Sequence, residues 1–320
     1  MSAKKTIRQL LERGEFIWAP CVYDCVSAKC AEIAGYNACL ISSCELEFSM
    51  NGTVAGVFNW EEFIGAAYRI AHAVNIPVIM DGENGGGTPS RVYRNVKRLA
   101  EAGIMAISIE DSNTGGISGG YHYGSSRGFM SRELFAANIK AACEAVKGTD
   151  CMIIARTDCK GGGAPQIGAI GQVGGMGLDE AIARVKLGIE AGAEITMIQN
   201  ICHADCEEEC LKIKEEVPGY RFYPDVHATD EKPDCTFEQM QEWGFHLVSN
   251  HVSMKSACNG MLDAMRKNYE AKNSVYSEIN DVPGIIPHEF QPFAFEEEIA
   301  RDKMFIQYEK DMAAKVHGCR

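Results

Sequence analysis

Three carboxylates that close two neighbouring apolar segments are the residues of this chain best suited to metal chemistry. Asp81 and Glu83 stand at the end of the segment 76–82, and Glu110 stands near the end of the segment 106–112. Carboxylate oxygens are hard ligands that suit Mg²⁺, with Mn²⁺ as a second candidate ion. Because Mg²⁺ takes only one or two carboxylates directly, we expect some of these acids to hold metal-bound water. An acidic rim without a metal is the alternative.

One arginine interrupts an otherwise apolar strand-like run. The sequence Met152-Ile153-Ile154-Ala155-Arg156 would bury the guanidinium of Arg156 unless an anion lies beside it. We predict that Arg156 takes part in catalysis by clamping a carboxylate of the substrate. Pairing with an acid of the rim is the alternative.

The elements that must position these groups form a repeating pattern. Apolar segments bounded by turn residues recur at 17–24, 37–43, 76–82, 106–112, 151–158, 194–200, 221–227 and 246–252. Helical patterns lie between them at 60–73, 90–102, 132–146, 178–191 and 207–216. Eight strands that alternate with helices predict an α/β fold, a parallel sheet closed into a (β/α)₈ TIM barrel. A doubly wound open sheet is the alternative, but no GxGxxG motif opens a helix after the first strand.

Polar residues end every predicted strand, where such a barrel builds its active site. The predicted substrate contacts beyond Arg156 are Tyr23, Asp24, Ser42, Ser43, Gln199 and Asn250. The two serines offer hydroxyl and backbone N–H groups to a second carboxylate, although they are also ordinary residues at a strand end. Asp24 and Tyr23 suit either a site wall or a helix N-cap. His227 and His251 are weaker candidates, because a rim histidine is more often a hydrogen-bonded structural residue than a base.

The composition sets limits on the class of protein. The chain has 320 residues, of which 46% are hydrophobic, and its net charge is −13. This charge disfavours nucleic acid and anionic membranes as partners, so we expect a small anionic substrate that meets a local positive centre. No apolar run reaches the roughly 18 residues that a membrane span requires.

Fourteen cysteines are scattered through strands and helices, and the chain starts without a secretory segment. A reduced, cytoplasmic protein is the simpler interpretation. Cys202, Cys206 and Cys210 recur every four residues with His203 beside them, which leaves a zinc site as the alternative to an ordinary helix surface.

Two loops are longer than the connections expected in a barrel, namely 112–130 and 160–177. The second is rich in glycine, and we weigh a mobile cover against an oligomer contact or a plain insertion.

The barrel domain is predicted to span 1–272, and 273–320 to form a C-terminal helical extension. Within this extension, residues 283–292 interrupt helix formation, and residues 293–314 resume a helical pattern. The apolar residues of that pattern need a partner surface, and we expect another subunit to supply it.

The strand ends also carry a family resemblance over residues 15 to 265. The chain resembles the isocitrate lyase and phosphoenolpyruvate mutase superfamily, in a 2-methylisocitrate lyase-like form. The matching stretches are Ala19-Pro20-Cys21-Val22-Tyr23-Asp24-Cys25-Val26-Ser27-Ala28, Ile41-Ser42-Ser43, Asp81-Gly82-Glu83-Asn84-Gly85, Ile109-Glu110-Asp111, Ile154-Ala155-Arg156-Thr157-Asp158 and Gly177-Leu178-Asp179-Glu180-Ala181.

The resemblance implies a (β/α)₈ barrel, often with a C-terminal helix exchanged between subunits of a dimer or tetramer. It also implies Mg²⁺ that holds a 2-oxo acid or its enolate. Transferred to this chain, the metal shell is Asp81, Glu83 and Glu110, and the carboxylate contacts are Ser42, Ser43 and Arg156.

The chain departs from the family pattern at the gating loop. Lyases of the family carry Lys-Lys-Cys-Gly-His or Lys-Arg-Cys-Gly-His there, and the Cys is the proton donor. Aligned on the final His, this chain reads Ser118-Gly119-Gly120-Tyr121-His122. Because Gly120 has no acidic group, either Tyr121 or His122 takes that role, or the reaction differs from isocitrate and methylisocitrate cleavage. Other departures are Glu83 in place of the second Asp of the metal motif and Gln199-Asn200 where the lyases tend to place an acid.

The leading hypothesis is a Mg²⁺-dependent carbon–carbon lyase for a small 2-oxo or 2-hydroxy dicarboxylate, acting through an enolate of pyruvate or a related 2-oxo acid. Three alternatives stay open. These are phosphonopyruvate mutase or hydrolase chemistry, oxaloacetate decarboxylase or hydrolase chemistry, and a non-catalytic metabolite-binding barrel. We expect a homo-oligomer, a dimer or a homotetramer.

Overall fold

A computed structural model gives the fold. It describes residues 4–51, 58–112, 129–161, 175–201, 206–225, 228–229, 232–233, 235–274 and 295–317. Two compact units divide the chain, Met1–Ser256 and Ala257–Arg320. Among the described residues, no helix is both long enough and apolar enough to cross a membrane.

The first unit is a closed barrel of eight parallel strands. The strands are β1 Ile17–Val22, β2 Cys39–Ile41, β3 Val78–Asp81, β4 Ala106–Ile109, β5 Met152–Thr157, β6 Ile195–Ile198, β7 Tyr220–Asp225 and β10 Leu247–Asn250. They close in the order β1-β10-β7-β6-β5-β4-β3-β2, while the two-residue strands β8 Ala228–Thr229 and β9 Lys232–Pro233 pair separately. Each barrel strand overlaps one predicted apolar segment, so the (β/α)₈ prediction is confirmed.

Helices separate the strands along the chain. They are α1 Ile7–Glu12, α2 Cys25–Ile33, α3 Ser43–Asn51, α4 Trp60–Ala73, α5 Pro89–Glu101, α6 Arg132–Ala145, α7 Leu178–Glu190, α8 Cys206–Glu216, α9 Phe237–Glu242 and α10 Ser253–Ala271. The five predicted helices α4 to α8 begin and end within one residue of the predicted bounds. The prediction did not single out α1, α2, α3, α9 and α10. The first four have nine residues or fewer, and so few turns carry little periodicity.

Side chains alternate between the barrel interior and the helix layer. On β1, Ile17, Ala19 and Cys21 belong to the interior cluster, whereas Trp18 packs against the outer cluster between strands and helices. On β10, Leu247 faces inward and Val248 outward. The two-residue period of a strand produces this pattern, and it decides which strand-end residues reach the mouth of the barrel.

The second unit contains most of α10 and the helix α11, Phe295–His317. The helix α11 confirms the predicted C-terminal helix at 293–314. No residue of α10 is buried, and large apolar side chains on both helices are exposed, including Met265, Tyr269, Phe305 and Tyr308. The interruption predicted at 283–292 lies outside the described residues.

Candidate active site

A cavity of about 90 Å³ opens at the carboxyl ends of the barrel strands. Most of its lining residues are of polar or charged types, and together the lining residues come from all eight barrel strands or the turns that follow them. The lining residues are Cys21, Leu40, Ser42, Ser43, Cys44, Asp81, Glu83, Ser108, Glu110, Arg156, Asp158, Met197, Gln199, Phe222, Ser249 and His251. One water needs roughly 10–15 Å³, so the cavity has room for a small ligand or an ion with its waters.

Asp81 is the most connected carboxylate of the cavity. Its Oδ2 accepts hydrogen bonds from the Ser43 hydroxyl at 3.1 Å and from Arg156 Nη1 at 3.0 Å. Its Oδ1 accepts from the Ser108 hydroxyl and from the backbone N–H of Glu83, both at 3.2 Å. These contacts fix the carboxylate at the end of β3, pointing into the cavity.

The turn after Asp81 places Glu83 in the cavity by an unusual backbone conformation. Glu83 has φ of 51°, in the left-handed region that non-glycine residues seldom adopt. Gly82 precedes it, and a Cβ there would lie 2.6 Å from the backbone oxygen of Ser108. A side chain at position 82 would therefore push the turn away from β4 and displace Glu83.

Glu83 and Glu110 are buried carboxyl groups that repel each other. Burial and then the charges of Glu110 and Asp81 raise the pKa of Glu83 well above its ordinary value. Burial raises the pKa of Glu110 to about 8, although the Arg156 guanidinium acts to lower it. The Glu110 carboxylate also accepts a hydrogen bond from the Ser112 hydroxyl. The charged forms of both acids are thus destabilised, by burial and by the neighbouring acids.

Arg156 supplies the positive charge of the cavity. Its Nε and Nη2 each donate to the Asp158 carboxylate at 2.8 Å, and Nη2 lies 3.2 Å from Glu110 Oε2. Burial lowers the pKa of Arg156, but the carboxylates of Asp158, Asp81 and Glu110 outweigh burial and keep the guanidinium charged. The expected anionic partners of Arg156 are thus acids of the rim, and its role as a substrate clamp stays a prediction.

A second layer holds the strand that carries Arg156. Asp111 accepts from the Thr157 hydroxyl at 2.6 Å and from the backbone N–H of Asp158 at 3.0 Å. Arg184 of α7 lies 3.1 Å from the same carboxylate and also donates to the Met130 carbonyl at 2.8 Å. These contacts tie β4, β5 and α7 together behind the cavity.

The three predicted metal ligands line the same cavity, but they are not arranged as a complete set of metal ligands. Within the described ranges, no group of three or more His, Cys, Asp or Glu side chains is arranged to hold a metal ion. A Mg²⁺ site with one or two carboxylates and several waters needs no such group. The oxygen donors Asp81, Glu83 and Glu110 fit a hard cation of that kind in their chemistry and burial.

Several predicted substrate contacts also reach the cavity. Ser42 and Ser43 are buried at the end of β2, and the Ser42 hydroxyl accepts from the backbone N–H of Glu45 at 3.3 Å. Gln199 is buried after β6, and among the described residues its Oε1 has no hydrogen-bond donor. This buried acceptor is open to a ligand.

Three other predicted contacts do not line the cavity. Asp24 is the N-cap of α2, and its Oδ1 accepts hydrogen bonds from the Ser27 backbone N–H and hydroxyl, both at 2.7 Å. This N-cap role is the alternative to a role in the site wall. Tyr23 packs against the core between the strands and the helices. Asn250 follows the inward-facing Ser249, so it points outward and accepts from Trp18 Nε1 at 3.4 Å. Strand alternation is the physical reason why Asn250 does not line the cavity, and its role as a substrate contact stays a prediction.

The predicted proton donors Tyr121 and His122 lie outside the described residues, as do most of the loops 112–130 and 160–177. Cys202 and His203 of the zinc alternative also lie outside them. Cys206 and Cys210 are buried, with their sulfurs 4.0 Å apart, and Cys206 lies 3.2 Å from the Tyr223 hydroxyl. These two thiols therefore belong to the packing of α8 against β7 and not to a helix surface.

The sequence prediction missed some lining residues. They are Cys21, Leu40, Ser108, Met197, Phe222 and Ser249. The signal that identifies them is the two-residue period, because each of them shares the inward phase of its strand.

Comparisons with known proteins agree with this architecture. The family model described as phosphoenolpyruvate phosphomutase matches residues 7–270. A 2,3-dimethylmalate lyase of Eubacterium barkeri is 28% identical over 299 residues, 89% of this chain and 95% of the relative. A petal death protein of Dianthus caryophyllus is 28% identical over 285 residues, 87% of this chain and 82% of the relative.

A solved structure of phosphonopyruvate hydrolase, in complex with oxalate and Mg²⁺, shares the fold. It covers 96% of this chain and 100% of its own, with a TM-score of 0.76 and 21% identity. Because the family model spans most of the barrel unit, the predicted resemblance is confirmed. The chain belongs to the phosphoenolpyruvate phosphomutase family.

Proposed function

We propose that this protein is a Mg²⁺-dependent carbon–carbon lyase for a small 2-oxo or 2-hydroxy dicarboxylate, acting through an enolate of pyruvate or a related 2-oxo acid. One observation carries the proposal. Asp81, Glu83 and Glu110 share a cavity with the buried guanidinium of Arg156 at the carboxyl ends of a closed parallel barrel. In such barrels this is the end at which active sites are built.

Asp81, Glu83 and Glu110 would hold the Mg²⁺ or Mn²⁺ ion, directly or through water. When bound, the ion supplies positive charge that stabilises negative charge developing on a keto oxygen. The raised pKa values of Glu83 and Glu110 support this assignment, because without a cation their charges are destabilised by burial and by each other.

The substrate would lie between the acids and the serines at the end of β2. Arg156, Ser42 and Ser43 supply donors for its carboxylates. Gln199 supplies a buried acceptor that lacks a donor within the described part of the chain, which suits a hydroxyl group on the substrate. The relative named as 2,3-dimethylmalate lyase supports a substituted malate as the first compound to try.

The test is an assay of small dicarboxylates for release of pyruvate or another 2-oxo acid, with and without EDTA. We expect cleavage of a 2-alkylmalate, a methylisocitrate relative or oxaloacetate that EDTA abolishes and Mg²⁺ restores. Absence of metal-dependent turnover with all of these acids would contradict the proposal. Phosphorus NMR of phosphonopyruvate separates the phosphonate chemistry from carbon–carbon cleavage. Ligand binding without any turnover would identify a non-catalytic barrel.

Tyr121 and His122 of the gating loop remain proposed proton donors, and this proposal rests on the sequence alone.

We also propose that the protein is cytoplasmic and a homo-oligomer, a dimer or a tetramer. We propose that a second copy of the chain covers the exposed apolar side chains of α10 and α11. The reason is that α10 has 19 residues and none of them is buried, so the helix needs a partner surface.

A further inference from the structure

We propose that Cys21, His251 and Glu45 form a proton relay that serves the reacting carbon of the substrate. The inference rests on the proposed function, since it assigns a donor to the enolate carbon. It differs from the donor predicted in the gate, because all three residues belong to the described barrel unit.

The three side chains form a continuous chain of contacts. Cys21 Sγ lies 3.8 Å from His251 Nε2, which is hydrogen-bond distance for sulfur. On the other side of the ring, His251 Nδ1 lies 3.0 Å from Glu45 Oε1. A carboxylate on Nδ1 fixes the orientation of an imidazole and stabilises its protonated form, while the other nitrogen exchanges the proton.

Glu45 is placed to support the imidazole. It lies in the first turn of α3 and is buried, with 7% of its surface exposed. Its second oxygen, Oε2, has no hydrogen-bond partner among the described residues. A buried carboxyl group is costly unless it is paired, and the contact with His251 Nδ1 is the pairing that the structure shows for its Oε1.

Cys21 and His251 of the relay lie across the barrel from Glu110 and Arg156, whereas Asp81 at the end of β3 is only two strand places from β1. Cys21 belongs to β1 and His251 follows β10, whereas Glu110 follows β4 and Arg156 belongs to β5. In the closed order of the strands, β1 stands four places from β5 and β10 four places from β4, which are opposite positions in a barrel of eight. A substrate held on the β4 and β5 side would therefore turn its other side toward the Cys21 thiol.

The two ends of the relay differ in their access to water. Cys21 lines the cavity but is only 1% exposed, whereas 42% of the His251 side chain is exposed. The thiol can face the substrate without contact with bulk water, and the imidazole can exchange its proton with solvent. A relay between a buried thiol and water requires this combination.

The step balances without a further reagent. With oxaloacetate as the substrate, the bond to the carboxylate next to the methylene carbon breaks, this carboxylate leaves as carbon dioxide, and the electron pair of the broken bond stays on the enolate of pyruvate. The enolate carbon takes the proton of the Cys21 thiol and becomes a methyl group. The thiolate then takes a proton from Nε2 of the His251 imidazolium, and the neutral imidazole regains a proton from water. In reverse, the thiolate removes a methyl proton from pyruvate.

The experiment follows this reverse half-reaction by proton NMR. The protein is incubated with Mg²⁺ and pyruvate in D₂O, and deuterium entering the methyl group is measured. We expect exchange by the wild type and about a 100-fold slower exchange by Cys21→Ser and by His251→Gln, as for loss of a general acid or base. For Glu45→Gln, a positioning residue, we expect about a 10-fold loss. Oxalate affinity should change less than about 2-fold in all three, since binding does not need the relay.

Cys30→Ser is the matched control, because Cys30 is an exposed thiol on α2. It should exchange deuterium at the wild-type rate. Wild-type exchange together with unchanged rates in Cys21→Ser, His251→Gln and Glu45→Gln would overturn the relay alone. Loss of exchange only in Tyr121→Phe or His122→Gln would also overturn it, in favour of the gate. No exchange by the wild type would overturn the proposed function and the relay together.

Should Cys21→Ser fail to fold, Glu45→Gln decides the matter, since it keeps the size of the side chain and does not line the cavity. An unchanged exchange rate in a folded Glu45→Gln variant, with oxalate bound as in the wild type, would contradict the relay.

Discussion

Arg156 and Asp158 form a double hydrogen bond, with the guanidinium Nε and Nη2 each 2.8 Å from one carboxylate oxygen of Asp158. Both residues face the barrel interior from the end of β5, two positions apart. The pair fixes the plane of the guanidinium and leaves Nη1 to reach Asp81 at 3.0 Å. Arg156 is therefore oriented before any ligand arrives, which favours binding because little side-chain freedom remains to be lost.

The first prediction concerns the loss of this buried charge. Arg156→Gln leaves the Asp81 and Asp158 carboxylates without the cation that they share. We expect the free energy of unfolding in EDTA to fall by about 3–5 kcal/mol, the usual cost of breaking a buried ion pair. Urea denaturation measures it. Arg8→Gln is the control, because Arg8 pairs with Glu194 at the surface and its loss should cost about 0–1 kcal/mol. Equal losses in the two variants would contradict a special role for Arg156.

The second prediction concerns Asp81. Asp81→Asn removes one negative charge from the proposed metal shell but keeps the shape of the side chain. We expect Mg²⁺ affinity to fall about 10–100-fold and metal-dependent turnover to fall with it. Calorimetric titration with Mg²⁺ measures the affinity. Asp179→Asn serves as the control, since Asp179 lies on α7 with 87% of its side chain exposed and pairs only with Lys212 among the described residues. Wild-type affinity in Asp81→Asn would count against the shell.

The third prediction links metal binding to pH. Burial raises the pKa of Glu110 to about 8, so near neutral pH this carboxyl largely holds a proton when no cation is bound. A cation must displace that proton, and Mg²⁺ affinity should therefore rise with pH through about pH 8. Titrations in buffers of different ionisation enthalpy measure the protons released. Proton release should decrease in Glu110→Gln, and an affinity that is constant between about pH 6 and pH 8 would be the contrary result.

The fourth prediction concerns assembly. If a second copy covers the apolar side chains of α11, Phe305→Glu should weaken the oligomer, because a charge would be buried at the contact. Phe305 is 59% exposed within a single chain. Light scattering after size exclusion measures the mass. Glu297→Gln, a polar change on the same helix, should leave the mass unchanged. A wild-type protein that runs as a monomer at all concentrations would contradict the assembly.

The barrel was predictable from the sequence because each strand carries an apolar run that ends in polar residues, and eight such runs between helices are typical of a closed parallel sheet. The same logic placed Asp81, Glu110 and Arg156 in one cavity, since parallel strands bring their carboxyl ends to one face. Register was harder to predict. Asn250 and Ser249 are both polar, and only the inward phase set by Leu247 shows that Ser249 faces the cavity.

The relay was beyond a strand-by-strand analysis. Cys21 and His251 are more than two hundred residues apart, and Glu45 comes from a short helix that carries little periodicity. Only the closure of β1 against β10 brings the thiol to the imidazole. The contact depends on tertiary geometry, which no local pattern in the chain contains.

The most direct test of the central claim is a crystal soaked with Mn²⁺ and oxalate, measured for anomalous scattering. The account predicts one strong peak in the barrel cavity, within ligand distance of one or two of the Asp81, Glu83 and Glu110 carboxylates or of their bound waters, with oxalate beside Arg156. A peak elsewhere, or a fully soaked crystal with no peak in the cavity, would contradict it.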